Sequence, residues 1–190
     1  MQRSEAIAPT HQPSRSQLRS EQNVSCVLPA TQWRSAMSEP EPDLQLAIAS
    51  YSDRSSEIDA IRRVVFQDEQ GVAPELEFDG RDDAATHLLA YWHGQPVGTA
   101  RVSWPDPQSA KIERLAVLAA ARGRGIGTQL MQQALQLAAE RGARVAVVHA
   151  QAYVKVLYDI LGFVQVGDRF DEAGLPHVKM TKMLTSPSPA

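Results

Sequence analysis

The spacing of hydrophobic positions predicts a strand and a helix at the start of the ordered part of the chain. Residues 44–51, LQLAIASY, alternate between apolar and polar positions as a half-buried strand does. Residues 56–70 place their large apolar side chains on one helical face, with Ser56 as the capping residue and Gly71 as the stop. An acidic loop with the sequence VAPELEFDGRDDA follows.

A meander of three strands follows the acidic loop. Residues 86–92 and 97–104 flank the turn HGQP and predict a hairpin, and residues 110–118 predict a third strand. After a glycine-rich loop, apolar residues at helical spacing predict a helix that stops at Gly142. Residues 143–150, ARVAVVHA, form a nearly continuous apolar run, which is typical of a central strand buried on both faces.

The order of these elements predicts the fold class. A further helix ends at Gly162, and the segments FVQVGDRF and HVKMTKML predict two late strands. The order β-α-β-β-β-α-β-α-β-β places helices on the faces of a mixed sheet, which is an α/β (α+β) layer fold. We expect about six to seven strands and a single domain over residues 43–184.

The two ends of the chain differ in composition from this domain. Residues 1–42 contain many Pro, Ser and Gln residues, no glycine and no helical or strand period, so we expect a disordered extension. Its Arg and Ser content weakly resembles an organelle-transit segment, and Met37 is an alternative start of the chain. Residues 185–190, TSPSPA, predict a flexible tail.

Composition and charge exclude several classes of function. The chain has 190 residues and a formal net charge of −3, which gives no reason to expect a nucleic-acid partner. Cys26 is the single cysteine, so an internal disulfide or a zinc site built from cysteines is excluded. No apolar run approaches the ~20 residues of a membrane span, and the first residues lack the apolar segment of a secretory signal. We therefore expect a cytoplasmic protein without a membrane partner, and the spacing of the five histidines predicts no metal site.

The glycine-rich loop ARGRGIGTQLM, residues 121–131, carries the most informative motif. It lies between a predicted strand and a predicted helix, where unpaired N–H groups and the helix dipole bind phosphate. The loop lacks the Gly-Lys-Ser/Thr ending of a P-loop. It also lacks the third glycine of a dinucleotide-binding fingerprint and the acidic residue at the end of the next strand. The alternative without a ligand is a sharp turn at the start of a helix.

The loop matches the pattern Arg-x-x-Gly-x-Gly through Arg122, Gly125 and Gly127, and here the sequence resembles the GNAT acetyltransferase superfamily. The segment LYDILGF, residues 157–163, is similar to the family's C-terminal motif, although a leucine stands where an aromatic residue is more usual. The pieces EQGV, DGRDDAATHLLAY and FDEAGLPHVKM resemble the bacterial ElaA-like branch. The resemblance covers nearly the whole domain and implies a GNAT-like acyl-CoA N-acyltransferase fold.

The resemblance implies acetyl-CoA as the co-substrate. The strand before the loop would line the pantetheine arm, and the loop would surround the pyrophosphate. The residues implied are Leu115, Ala116 and Val117 on the strand and Arg122, Gly123, Arg124, Gly125, Ile126, Gly127 and Thr128 in the loop. The alternative for the side chains of Leu115 and Val117 is simple core packing.

Three residues are candidates for proton transfer when an acetyl group moves from a thioester to an amine. The resemblance implies that Tyr158 protonates the leaving thiolate, whereas its periodicity alone fits a core aromatic residue. Glu113 shares strand parity with Leu115 and Val117, so we expect these three side chains on one face. Glu113 is then either a base or a salt-bridged residue. His149 ends the central strand, where it is either the base or a hydrogen-bonded structural residue.

The acidic loop predicts how an acceptor is attracted. In the implied fold its carboxylates border the acceptor side of the cleft and attract a cationic amine, and the alternative is a solvated loop. They are Glu69, Glu75, Glu77, Asp79, Asp82 and Asp83. Arg101 either pairs with one of these acids or binds a substrate carboxylate.

These observations predict an acetyl-CoA-dependent N-acetyltransferase that acts on a primary amine of a small molecule or a protein, by direct attack in a ternary complex. Two alternatives keep the fold. One is a non-catalytic acyl-CoA-binding sensor, and the other is an acyltransferase that takes its acyl group from a carrier protein, as acyl-homoserine-lactone synthases do. The sequence leaves the acceptor and the oligomeric state open, with a homodimer that pairs through the late strands as one alternative.

Overall fold

The computed structural model describes residues 43–185, which fold around one seven-stranded sheet. The predictions for residues 1–42 and for the tail beyond residue 185 lie outside the described residues. The strands are β1 (Leu44–Ala49), β2 (Thr86–Trp92), β3 (Gln95–Asp106), β4 (Ser109–Val117), β5 (Val145–Gln151), β6 (Val164–Glu172) and β7 (Leu175–Met183). Their order across the sheet is β1-β2-β3-β4-β5-β7-β6, and neighbours are antiparallel except β4 and β5. This mixed sheet confirms the predicted fold class.

Helices cover both faces of the sheet. They are α1 (Tyr51–Arg62), which continues as a π-helical segment (Arg63–Glu69), α2 (Pro74–Glu77), α3 (Ile126–Glu140) and α4 (Lys155–Ile160). The predicted order of elements is confirmed, and α2 is an addition inside the predicted acidic loop. Within residues 43–185, no helix is both long and apolar enough to cross a lipid bilayer.

The first helix begins earlier than its hydrophobic pattern predicts. The Ser50 hydroxyl accepts a hydrogen bond from the Asp53 N–H at 3.3 Å and caps the helix at Tyr51. Arg54 then interrupts the helical backbone with a φ of −133°. The predicted start at Ser56 is therefore wrong, because the apolar face begins after this interruption while the helical backbone begins before it.

Two hydrophobic layers pack against the sheet. The larger layer lies under α3 and α4 and includes Leu130 and Tyr158. The smaller layer lies under α1 and the π-helical segment, where Ile58 and Val65 pack with Ala116 of β4. We refer to these two sides of the sheet as the α3 face and the α1 face.

The sheet opens between β4 and β5. Their parallel pairing covers only residues 109–111 of β4 and residues 145–147 of β5. Among the described residues, the edge of β4 that faces β5 has no strand partner beyond Lys111, although both strands continue. The unpaired backbone groups along such an edge are available to a ligand in the way that an edge strand is available to another strand.

A β-bulge at Arg114 interrupts the alternation of side chains along β4. Thr99 of β3 pairs with Ala116 of β4, and Arg101 pairs with Glu113. These two pairs are two residues apart on β3 but three residues apart on β4, so β4 holds one extra residue. Arg114 has a φ of 54°, in the left-handed region that residues with a side chain rarely adopt.

The bulge corrects the predicted parity of β4. Glu113 pairs with Arg101 and lies on the α1 face, whereas Leu115 and Val117 pack with the core of the α3 face. The expectation that these three side chains share one face is wrong, because side chains alternate regularly only in a strand without a bulge.

An ion-pair network on the α1 face joins α1, the segment 77–82, β3 and β4. Arg62 pairs with Glu77 and, at 2.6 Å, with Asp82. Arg101 pairs with Asp79 at 2.7 Å, with Asp82 at 3.1 Å and with Glu113 at 3.3 Å. Arg114 pairs with Glu77 at 2.8 Å. Arg62 and Arg101 are buried, so their charges require these carboxylates. The network therefore fixes the acidic segment against the sheet.

This network changes the role predicted for the acidic loop. Glu77, Asp79 and Asp82 are held by arginines and do not form a free negative patch. Hydrogen bonds from Arg101 hold the pKa of Asp79 well below its usual range. Arg101 pairs with acids of the loop, which is the first of the two alternatives left open by the sequence.

Arg101→Met is expected to lower the free energy of unfolding by about 3–5 kcal/mol, because it removes the buried cation that Asp79, Asp82 and Glu113 share and leaves the network with excess negative charge. Lys155→Met is the matched control, since Lys155 pairs with Asp159 at the surface, where an ion pair contributes about 0–1 kcal/mol. Urea unfolding of both variants measures the difference. Equal losses of stability in the two variants would contradict a structural role for the network.

Candidate active site

The opening between β4 and β5 is flanked on the α1 face by the two predicted bases. Lys111 and Val147 form the last paired position of the strands, and parallel partners point to the same face. Glu113 and His149 are the next residues on that face along their respective strands. The two side chains therefore lie on either side of the opening.

Glu113 is occupied by neighbouring side chains. Its carboxylate pairs with Lys111 at 2.6 Å and with Arg101 at 3.3 Å, and it accepts a hydrogen bond from Ser103 at 3.1 Å. Burial by itself raises the pKa of Glu113, but the Lys111 hydrogen bond and the charge of Arg101 outweigh burial and lower it below its ordinary value. A carboxylate held in this way is a weak base.

His149 has a single carboxylate partner among the described residues and a partly exposed ring. Its Nδ1 lies 2.8 Å from Oε2 of Glu172, the last residue of β6, and 29% of the His149 side chain is exposed. Sequence reasoning missed Glu172, because β7 separates β5 from β6 and no motif connects the two residues. The geometry leaves the imidazole accessible for proton exchange.

The π-helical segment spans the opening on the α1 face. At one side Val65 packs with Ala116 of β4. At the other side Gln70, just after the segment, accepts a hydrogen bond from the Gln151 side chain of β5 at 2.9 Å, and its amide lies 3.5 Å from the Tyr153 hydroxyl. The segment therefore links the two edges of the opening, and π-helical geometry is frequent at functional sites.

The glycine-rich loop presents backbone N–H groups at the start of α3. Gly123 and Gly125 have φ values of 77° and 76°, which favour glycine. The first helical hydrogen bond is donated by the Gln129 N–H to the Gly125 carbonyl at 3.0 Å. The N–H groups of residues 126–128 precede it and have no acceptor within the helix. Successive N–H groups in such a turn form an anion-binding nest.

Both arginines of the loop contact protein groups. Arg122 donates to the Val117 carbonyl at 2.9 Å and to Oε2 of Glu69 at 2.5 Å. The Arg124 guanidinium lies over the Trp92 ring at 3.8 Å from its centroid. Contacts of the two arginine side chains with a pyrophosphate stay predictions.

The other predicted donor-site residues offer backbone rather than side chains. Ala116, Ile126 and Thr128 have buried side chains, and Leu115 and Val117 pack with the core of the α3 face. Gly127 lies in the first turn of α3. Their backbone groups are the part of these residues that a ligand could contact, as predicted for the strand.

Tyr158 lies on the α3 face, in the helix that follows β5. Its side chain is 7% exposed, and its ring meets Phe163 edge-on at a centroid distance of 5.7 Å. Burial, with a smaller effect of Tyr153, raises the pKa of the Tyr158 hydroxyl, so the phenol stays protonated at neutral pH. Tyr158 and His149 are thus placed on opposite faces of the sheet.

Comparison with known proteins identifies the family of this chain. Residues 59–184 match the family model of the acetyltransferase (GNAT) domain. The Bacillus subtilis protein named "Uncharacterized N-acetyltransferase YjcF" is 30% identical over 140 residues, which cover 73% of this chain and 99% of YjcF. Protein ElaA of Escherichia coli is 32% identical over 127 residues, which cover 64% of this chain and 82% of ElaA.

Solved structures agree with the family model. The crystal structure of Escherichia coli ElaA matches with a TM-score of 0.65 and 27% identity, and covers 73% of this chain and 99% of its own. An acyl-CoA N-acyltransferase from Pseudomonas aeruginosa matches with a TM-score of 0.65 and 32% identity over the same shares of the two chains. These matches confirm the resemblance predicted from the sequence and the enzyme class, an acyl-CoA-dependent N-acetyltransferase. The chain belongs to the GNAT family of acetyltransferases.

Proposed function

We propose that this chain transfers the acetyl group of acetyl-CoA to a primary amine of a small molecule or a protein, by direct attack in a ternary complex. The observation that carries the proposal is the opening between β4 and β5, which has the glycine-rich nest near the end of β4 and His149 on β5. Acetyl-CoA supplies the thioester, and the remaining chemistry is positioning and proton transfer.

The donor side of the proposed site is built from backbone. The N–H groups of residues 123–128 bind the pyrophosphate, and the edge of β4 along residues 115–117, which has no strand partner on the β5 side, binds the pantetheine arm. Glycines at 123 and 125 suit this function, because a Cβ would strain the left-handed backbone that brings the N–H groups together. A backbone N–H along the same edge is available to stabilise the oxyanion.

Proton transfer is divided between the two faces of the sheet. On the α1 face, His149 accepts the proton of the attacking amine, and it is preferred over Glu113 because the latter is held by Lys111 and Arg101. On the α3 face, Tyr158 gives its proton to the leaving thiolate. The new C–N bond forms as the C–S bond breaks, and one proton passes to His149 while another passes from Tyr158 to the sulfur.

The direct test is a calorimetric titration of the full chain with acetyl-CoA, with NADH and ATP as controls. Micromolar binding of acetyl-CoA alone, about −8 kcal/mol, is expected. Thiol release is then measured with free amino acids, polyamines and a lysine-containing peptide. Release that depends on an amine supports transfer, binding without it points to a sensor, and absence of binding contradicts the donor site.

Gly125→Val is expected to weaken acetyl-CoA binding by about tenfold or more, ~1.4 kcal/mol, because a β-branched residue cannot hold the backbone at a φ of 76°. Gly142→Val is the matched control, since Gly142 has a φ of 85° just beyond the opposite end of α3 from the loop. Calorimetry on both variants measures the affinity. Wild-type affinity in the Gly125 variant would mean that the glycine-rich loop does not bind acetyl-CoA.

Tyr158→Phe is expected to slow acetyl transfer by about 10²-fold or more while acetyl-CoA still binds, because the ring stays and only the proton donor is lost. Tyr91→Phe removes another hydroxyl, the one that donates to Glu57, and controls for a general loss of stability. The kcat of each variant, with the dissociation constant for acetyl-CoA, decides the assignment. Turnover at the wild-type rate in Tyr158→Phe would mean that Tyr158 is a core aromatic residue and not the proton donor.

His149→Gln is expected to lower kcat by about 10²–10⁴-fold, because the base is removed. Glu113→Gln is expected to keep kcat within a few-fold and instead to lower the free energy of unfolding, because Arg101 and Lys111 lose an anionic partner. Steady-state kinetics and urea unfolding of both variants make the comparison. The opposite pattern, with a large loss of kcat only in the Glu113 variant, would identify Glu113 on β4 as the base.

A further inference from the structure

Glu172 is the carboxylate partner of His149 and is not part of the predicted site. The distance between His149 Nδ1 and Glu172 Oε2 is 2.8 Å, within the range of a charge-assisted hydrogen bond. An ionised carboxylate only accepts hydrogen bonds, so the imidazole Nδ1 must donate. A neutral His149 ring in this contact therefore carries its proton on Nδ1 and its lone pair on Nε2.

The hairpin turn between β6 and β7 fixes the position of Glu172. Glu172 pairs with Leu175, and the two residues between them, Ala173 and Gly174, have φ values of 52° and 74°. Positive φ at both positions is typical of the two-residue turn that fits the twist of an antiparallel hairpin. A positive φ at alanine is unfavourable, and such strain is found where the surrounding structure requires a fixed geometry.

The His149 ring is also supported by aromatic contacts. Phe170 lies edge-on to it with a centroid distance of 5.0 Å, and Phe170 in turn stacks on His177 at 6.0 Å. His177 donates from Nδ1 to the Leu175 carbonyl at 2.8 Å, within the same hairpin. The hairpin therefore orients the ring through both a hydrogen bond and a packing contact.

We propose that Glu172 is a positioning residue of the transfer reaction, which holds His149 in the Nδ1–H tautomer so that Nε2 is free to take the proton of the amine. The inference rests on the proposed function of His149. Glu172 itself does not touch the reacting atoms, and it acts by selecting which ring nitrogen is the base.

The tautomer is measured directly by nuclear magnetic resonance on the full chain with ¹⁵N-labelled histidine, at about pH 8, well above the ordinary pKa of an imidazole. The His149 signals are assigned from the spectrum of His149→Gln. We expect a protonated Nδ1 in the wild type and a shift toward the Nε2–H form, which predominates in water, in Glu172→Ala. Asp171→Ala is the matched control, because it removes the neighbouring carboxylate on the opposite face of β6.

Kinetics separates positioning from a merely structural role. Glu172→Ala is expected to lower kcat by about tenfold without a change in KM for acetyl-CoA, and Glu172→Gln, which keeps an acceptor oxygen, is expected to recover most of the rate. A wild-type His149 protonated on Nε2, an unchanged tautomer in Glu172→Ala, or a wild-type kcat in that variant would each overturn the inference. A chain that transfers no acetyl group to any amine would instead refute the proposed function, while the tautomer measurement would still decide the contact.

Discussion

The buried arginines on the α1 face are the constraint on which the rest of the structure depends. A guanidinium in the interior must keep carboxylate partners, and here most of those partners come from the segment 77–82, with Glu113 of β4 as the exception. Arg114 extends the same contacts, since it pairs with Glu77 at 2.8 Å and donates to the Leu76 carbonyl at 2.8 Å. These interactions offset the conformational free energy that the left-handed backbone of Arg114 costs, which is on the order of 1–3 kcal/mol.

The bulge that these contacts stabilise decides which groups reach the opening. By adding one residue to β4, it leaves Glu113 among the arginines of the α1 face and turns Leu115 and Val117 toward the core of the α3 face. The charge of Glu113 is then required by Arg101 and Lys111, so the proposed mechanism takes its base from the other strand. This is the physical reason why we assign proton acceptance to His149 on β5.

The sequence predicts the elements well and the geometry of the site less well. Alternating or continuous apolar patterns locate the strands, although β6 is mostly exposed, and the glycine loop is recognisable from its spacing. The bulge at Arg114 has no such signal, since the residue is not glycine and its conformation depends on Glu77, far away in the chain. The pairing of His149 with Glu172 is equally invisible, because the topology of β5, β7 and β6 creates it. Parity arguments hold only while a strand is regular.

The two arginines of the glycine-rich loop connect the proposed donor side of the site to the rest of the structure. Arg122 reaches Glu69 in the π-helical segment, and the adjacent Gln70 reaches Gln151 on β5, so loop, segment and strand are joined in series across the opening. Arg124 is stacked on Trp92 and fixes the loop against β2. With both arginines engaged in this way, the proposed binding of phosphate depends mainly on the backbone conformation of the glycines. A connected set of polar contacts therefore joins the glycine-rich loop to the strand that carries His149, so the donor side and the base of the proposed site rest on the same interactions.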